Sequence, residues 1–187
     1  MAWQLVHYVC DEMRACSELI RKCLERTHEI DGDIDEIGVS DGQSAALLCK
    51  LAGESNVHLF DTFNGIPESE ITEGLDDEPA GAFRASVEQV ERTLLKFDNY
   101  KLHKGVFPHT AVQLGPLRFV HIDCDLYKTT SAALDWAWPQ IEVGGLILDD
   151  DYLWEQCRGA RLAVDEFVAR VECNLEINTQ RAIIRKG

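Results

Sequence analysis

At 187 residues with 45% apolar side chains, the chain can bury one sizeable core and is too apolar to be disordered. Its 18 Lys and Arg stand against 33 Asp and Glu, a formal net charge of -15. That balance argues against nucleic acid and anionic membranes, both of which need cationic surface, and suits a neutral or cationic ligand.

No apolar run approaches the roughly 20 residues of a membrane span. The start, MAWQLVHYVCDEMR, has neither a basic segment nor a cleavage site, so a cytoplasmic location is expected. From residue 3 to residue 28, Leu5, Val6, Val9, Cys10, Met13, Cys16, Ile20, Cys23 and Leu24 recur on a helical period. This predicts an amphipathic helix outside the core fold. A stripe that wide must be covered by the sheet, by acting as a lid, or by a second copy; a homodimer is expected.

From residue 31 the pattern turns to alternating strands and helices. Strands are predicted over 34–39, 57–60, 100–104, 117–122 and 146–148, with helices over 44–51, 83–97, 129–138 and 157–171. A closing pair of strands covers 175–177 and 181–184. Residues 62–81, rich in Gly, Pro, Asp and Glu, read as a long functional or mobile loop. The expectation is a single α/β domain with a doubly wound, mostly parallel, Rossmann-like sheet. The seven cysteines include no CxxC pair and read as reduced, mostly buried thiols rather than disulfides or a zinc site.

Two motif groups carry chemistry. The first strand runs into DEIGVSDGQSAALL, where Gly38 and Gly42 allow a tight turn with close backbone approach to a ligand, and Ser44 is the expected N-cap of the next helix. The second strand ends at Asp61, where an acid commonly bonds both hydroxyls of an adenosine ribose. GVSDG is GxxxG rather than GxGxxG. That spacing suits S-adenosylmethionine, which has no pyrophosphate to cradle, although a plain strand–helix turn reads the same way. Glu36, inside the strand, either accepts from the cofactor ammonium or forms a salt bridge at the sheet end.

The second group is acidic. FVHIDCDLY carries Asp123 and Asp125, and GGLILDDDYLW carries Asp149, Asp150 and Asp151, each group just beyond an apolar strand run. If those strands are neighbours, their tips converge, and clustered carboxylates call for a hard divalent cation such as magnesium. His109 in FPHT is a loop residue and a candidate base. His121 alternates with core residues on its strand. Tyr127 and Lys128 border the site or form a solvated helix start, and Trp154 packs over the site mouth or over the core.

GDIDEIGVSDGQSAALL, LFDTFNGIPE, KGVFPHT, HIDCDLYKTT and GGLILDDDYLWEQCRGARLAVDEF together resemble the macrocin O-methyltransferase family, over about residues 32–167. The resemblance implies a class I enzyme using S-adenosylmethionine to methylate sugar hydroxyls on natural products. It also implies magnesium bound by an aspartate after the fourth strand and an adjacent pair after the fifth. Those are Asp123, Asp150 and Asp151, with Tyr152 fixing the register and Asp149 outside the ligand set. Magnesium would lower the pKa of the acceptor hydroxyl, and Asp123 or His109 would take its proton. Three other readings remain open: a catechol-like phenol as acceptor, a nicotinamide-dependent oxidoreductase, and a non-catalytic interaction protein on the same fold.

Overall fold

The computed structural model describes the backbone of residues 2–187 and the side chains from Glu12 onward. Leu5, Val6, Val9 and Cys10 of the predicted stripe lie outside the described side chains. The chain forms α1 (Ala2–Arg26), β1 (Asp33–Ile37), α2 (Gln43–Leu51), β2 (Val57–Asp61), α3 (Val87–Thr93), β3 (Tyr100–Lys104) and β4 (Leu117–Ile122). It continues through α4 (Tyr127–Ala137), β5 (Ile141–Asp149), α5 (Arg158–Val168), β6 (Cys173–Asn178) and β7 (Arg181–Lys186).

All six residues of β4 are buried, the mark of a strand covered on both faces. The sheet order is β3-β2-β1-β4-β5-β7-β6. β1 pairs in parallel with both β2 and β4, while β7 runs antiparallel to β5 and β6. The strand order reverses between β1 and β4, which opens a crevice at their carboxyl ends. Leu48, Val90 and Leu94 build the core on one face, and Ala133, Leu134, Val164 and Phe167 build it on the other. α1 lies on the first face and joins its core through Leu19, Ile20, Cys23 and Leu24.

Arg118, only 5% exposed on β4, ties the far end of the sheet together. Its guanidinium donates to Ser55 Oγ at 3.0 Å, to the Ala52 carbonyl at 2.9 Å and to Thr27 Oγ1 at 3.3 Å. Ala52 closes α2, and Thr27 follows α1 directly. One cation therefore meets the negative ends of two helices.

Two elements differ from the sequence expectation. The helix expected over 83–97 forms only as Val87–Thr93. It starts at a capping box in which Ser86 Oγ accepts from the Gln89 amide and the Gln89 side chain accepts from the Ser86 amide. Phe83, by contrast, sits at a positive φ of 55°. β5 begins at Ile141, because Gly144 and Gly145 are a bulge inside the strand rather than a turn before it. Across β4, the register steps from Leu117↔Ile141 to Phe119↔Leu146.

Candidate active site

The carboxyl ends of β1, β2 and β4 open into a cleft of about 440 Å³. Gly38, Val39 and Ser40 form one wall; Asp61 and Thr62 the next; Asp123, Cys124, Asp125 and Leu126 the third. Gly38 has φ 92°, and a Cβ there would run into the Asp123 carbonyl. Only glycine lets the β1 tip lie so close to the β4 tip.

Asp61 braces that turn. One carboxylate oxygen accepts from the amides of Val39 (2.8 Å) and Ser40 (3.1 Å), and the other from the amide of Phe63 (2.6 Å). The carboxylate remains half-buried at the cleft wall.

The other residues predicted for the cofactor stand behind this wall. Ser44 is not the N-cap of α2. Gly42 is, at φ 84° and with no side-chain cap bond, and Ser44 falls in the first helical turn. The left-handed conformation at Gly42 lets the chain enter the helix one residue earlier. Gly42 also backs onto Val90 and Thr93 rather than onto the cleft. Glu36 is fully buried and accepts from His121 Nδ1 at 2.9 Å, so in this structure it follows the ion-pair reading rather than facing the cleft.

His109 is exposed and is not part of the cleft lining, although Gly105, Val106 and Phe107 just before it are. Tyr127 donates to Glu166 at 2.8 Å and Lys128 to the Ser69 carbonyl at 2.7 Å, so both act as struts. Trp154 lines a separate surface hollow with Arg158 and Arg161.

β4 and β5 are neighbours, and their acidic tips converge. Asp123, Asp150 and Asp151 each offer an oxygen within 4.8 Å of the others. Their environments differ sharply. Burial and the charge of Asp150 push the Asp123 carboxyl well above its ordinary pKa; burial and Asp125 do the same to Asp151. Neither forms an ion pair among the described residues.

Asp150 is paired. Arg181 Nε lies 2.6 Å from its Oδ1 and Nη2 3.2 Å from its Oδ2, while the Cys16 thiol donates to Oδ1 at 3.1 Å. Burial works to raise the Asp150 pKa, but His121 and Arg181 outweigh it and hold the group far below the usual carboxylate range. For His121, burial alone would lower the pKa; Asp150, Cys16 and Glu36 reverse that and lift it well above normal. Asp149 is buried just behind the cluster. Neither of its oxygens completes a hydrogen bond among the described residues, although the Asp151 amide approaches closely enough to oppose the rise in its pKa. Burial and Asp150 push that pKa up to about 8.

The donor set of Asp123, Asp150 and Asp151 is all oxygen, as a hard divalent cation prefers. Asp123, half-buried at the cleft wall, and Asp151, buried behind it, form no ion pair among the described residues and fit such an ion. Asp150 fits it while sharing its charge with Arg181.

Asp125 belongs to the first acidic group expected from the sequence, whereas its backbone conformation, the place of Arg181 and the docking of the loop between β2 and α3 do not follow from the sequence pattern. Asp125 lines the cleft at a positive φ of 63°, its amide bonded to Asp151 Oδ2 at 2.8 Å, and burial raises its pKa to about 6. Arg181, which in the sequence is simply part of a closing strand, reaches Asp150. The loop between β2 and α3 is docked onto the helix ends. Asp76 accepts from the Tyr127 amide at 3.0 Å and the Thr72 amide at 2.7 Å, and the Gly159 amide donates to the Leu75 carbonyl at 3.1 Å. A Cβ at Gly159 would overlap the Asp76 carboxylate.

A family model described as Macrocin-O-methyltransferase (TylF) matches residues 10–180. The chain is 28% identical over 181 residues to demethyldecarbamoylnovobiocin O-methyltransferase of Streptomyces niveus, spanning 87% of this chain and 68% of that protein. It is 30% identical over 148 residues to the 8-demethyl-8-(2,3-dimethoxy-alpha-L-rhamnosyl)-tetracenomycin-C 4'-O-methyltransferase of Streptomyces olivaceus, spanning 70% of this chain and 57% of that one. The solved structure of the O-methyltransferase NovP superposes with a TM-score of 0.79 at 25% identity, over 92% of this chain and 79% of NovP. The match runs through the glycine turn, Asp61 and both acidic strand ends, and with it the chain belongs to the macrocin O-methyltransferase (TylF) family of S-adenosylmethionine-dependent O-methyltransferases.

Proposed function

We propose that the enzyme methylates a hydroxyl of a sugar or similar small natural-product acceptor, with a divalent cation, magnesium by preference, held by Asp123, Asp151 and Asp150. The observation that carries this reading is the meeting of the braced Gly38–Asp61 turn with Asp123 in one cleft, where Asp123 lies within ligand distance of the buried Asp150 and Asp151. Both relatives act on a natural-product scaffold, as their names state.

In this reading the Gly38 turn and Asp61 hold the cofactor, with Asp61 directed at the ribose. Gly42, Ser44 and Glu36 support the wall from behind. The cation would supply Lewis acidity and make the bound hydroxyl more acidic. The protein's part is to hold the acceptor oxygen in line with the sulfonium methyl, about 3 Å away. We assign proton acceptance to Asp123, which lines the cleft, ahead of the exposed His109. The acidic walls suit the sulfonium cofactor and a neutral or cationic acceptor.

Calorimetry with S-adenosylhomocysteine tests the cofactor half. Asp61→Ala should weaken binding by more than ~1 kcal/mol, because it removes charge-assisted bonds to the ribose and the brace on the turn. Binding of NADH with no response to S-adenosylhomocysteine would refute the reading. EDTA should abolish methyl transfer and added magnesium should restore it; full activity in chelator would remove the cation from the mechanism.

A further inference from the structure

Arg181, the first residue of β7, is only 2% exposed and among the largest fully buried side chains described. The preceding residue is fixed, because the Leu153 amide donates to the Gln180 carbonyl at 2.8 Å. Arg181 therefore enters the acidic cluster from a rigid strand. Its fork meets Asp150 with two bonds, and its Nη1 is backed by Glu12 of α1 at 3.5 Å. Arg181 and the Cys16 thiol both use Oδ1 of Asp150, while among the described residues Oδ2 accepts only the longer Arg181 bond.

We propose that Arg181 is a built-in counter-ion that sets how tightly the carboxylate site holds its cation. It keeps Asp150 aimed before the cation arrives. It also places a fixed positive charge beside the ion, so the ion is held loosely and exchanges readily. The proposal rests on the reading that Asp123 and Asp151 hold a divalent cation. Arg181 is a positioning residue: it touches Asp150, not the reacting atoms. In a partly buried site, a neighbouring unit charge changes a divalent ion's affinity by at least an order of magnitude.

The test is a manganese titration followed by electron paramagnetic resonance at one fixed pH, with folding of each variant checked by circular dichroism. Arg181→Met should bind manganese at least about tenfold more tightly than the unsubstituted enzyme. Arg181→Gln, which keeps a hydrogen-bond donor but no charge, should show the same tightening if the methionine variant does not fold. Arg181→Lys, which keeps the charge, should stay within about threefold of the starting affinity. A merely structural arginine would not raise metal affinity when removed. If manganese binds the starting enzyme and is lost in Asp151→Asn, but the folded neutral variants bind it equally or more weakly, the counter-ion proposal is overturned and the cation site stands. If the starting enzyme binds no manganese, both are overturned.

Discussion

Asp35 sits within β1 with no exposed surface, and neither carboxylate oxygen has a hydrogen bond among the described residues. Burial first, and the charge of Asp33 second, raise its pKa well above the ordinary value. The folded state therefore holds a proton that the unfolded chain releases near pH 4. Below that pH the group costs no stability. Above it, folding is penalised by about 1.4 kcal/mol per pH unit until the folded pKa is reached. Asp35→Asn should leave the melting temperature nearly unchanged at pH 4 and raise it at pH 7 to 8. A shift of equal size at both pH values would show that Asp35 does not titrate between them. At this scale the sequence identifies acids but not their partners. Asp123, Asp150 and Asp151 are legible because each ends an apolar run. The bond from His121 to Glu36, and Arg181 on Asp150, join residues far apart in sequence, and no local pattern announces them.

The docked loop explains why glycine stands second in α5, a helix with little intrinsic use for it. Gly159 leaves room for the Asp76 carboxylate and for Tyr127, whose Cβ would lie 2.8 Å from an added methyl. Gly159→Ala should unseat the loop while the sheet remains folded. Limited proteolysis should then cut within residues 66–82 several-fold faster, with a stability loss of only about 1–2 kcal/mol. An unchanged cleavage rate would mean that the loop is not anchored there. The strands are readable because apolar residues such as Leu117, Phe119, Val120 and Ile122 dominate them, even with Arg118 and His121 in between. Helix α3 was overdrawn because its apolar spacing extends past the Ser86–Gln89 box, which is the true start signal. The length of β5 was hidden by Gly144 and Gly145, since a glycine pair reads as a turn whether it ends a strand or bulges within it.

As a whole, the molecule is a seven-stranded sheet whose first helix crosses to the acidic site: Met13 lines the cleft, Cys16 reaches Asp150 and Glu12 reaches Arg181. No helix among the described residues is long and apolar enough to cross a membrane. In the sequence the helical period runs on before Glu12 through Leu5, Val6, Val9 and Cys10, and it is the basis for expecting two copies to pair. Light scattering should find a dimer for the intact chain and a monomer for a chain starting at Glu12; monomers in both cases would refute the pairing. The partners of α1 also set an order of assembly. Arg118 on β4 holds its end, Asp150 just past β5 takes its thiol, Glu176 on β6 pairs with Arg26, and Arg181 on β7 meets Glu12. α1 is thus made before each of the strands that hold it. Leu19, Ile20, Cys23 and Leu24 stay uncovered until the sheet forms behind them, and β7, carrying Arg181, is what locks the helix in place.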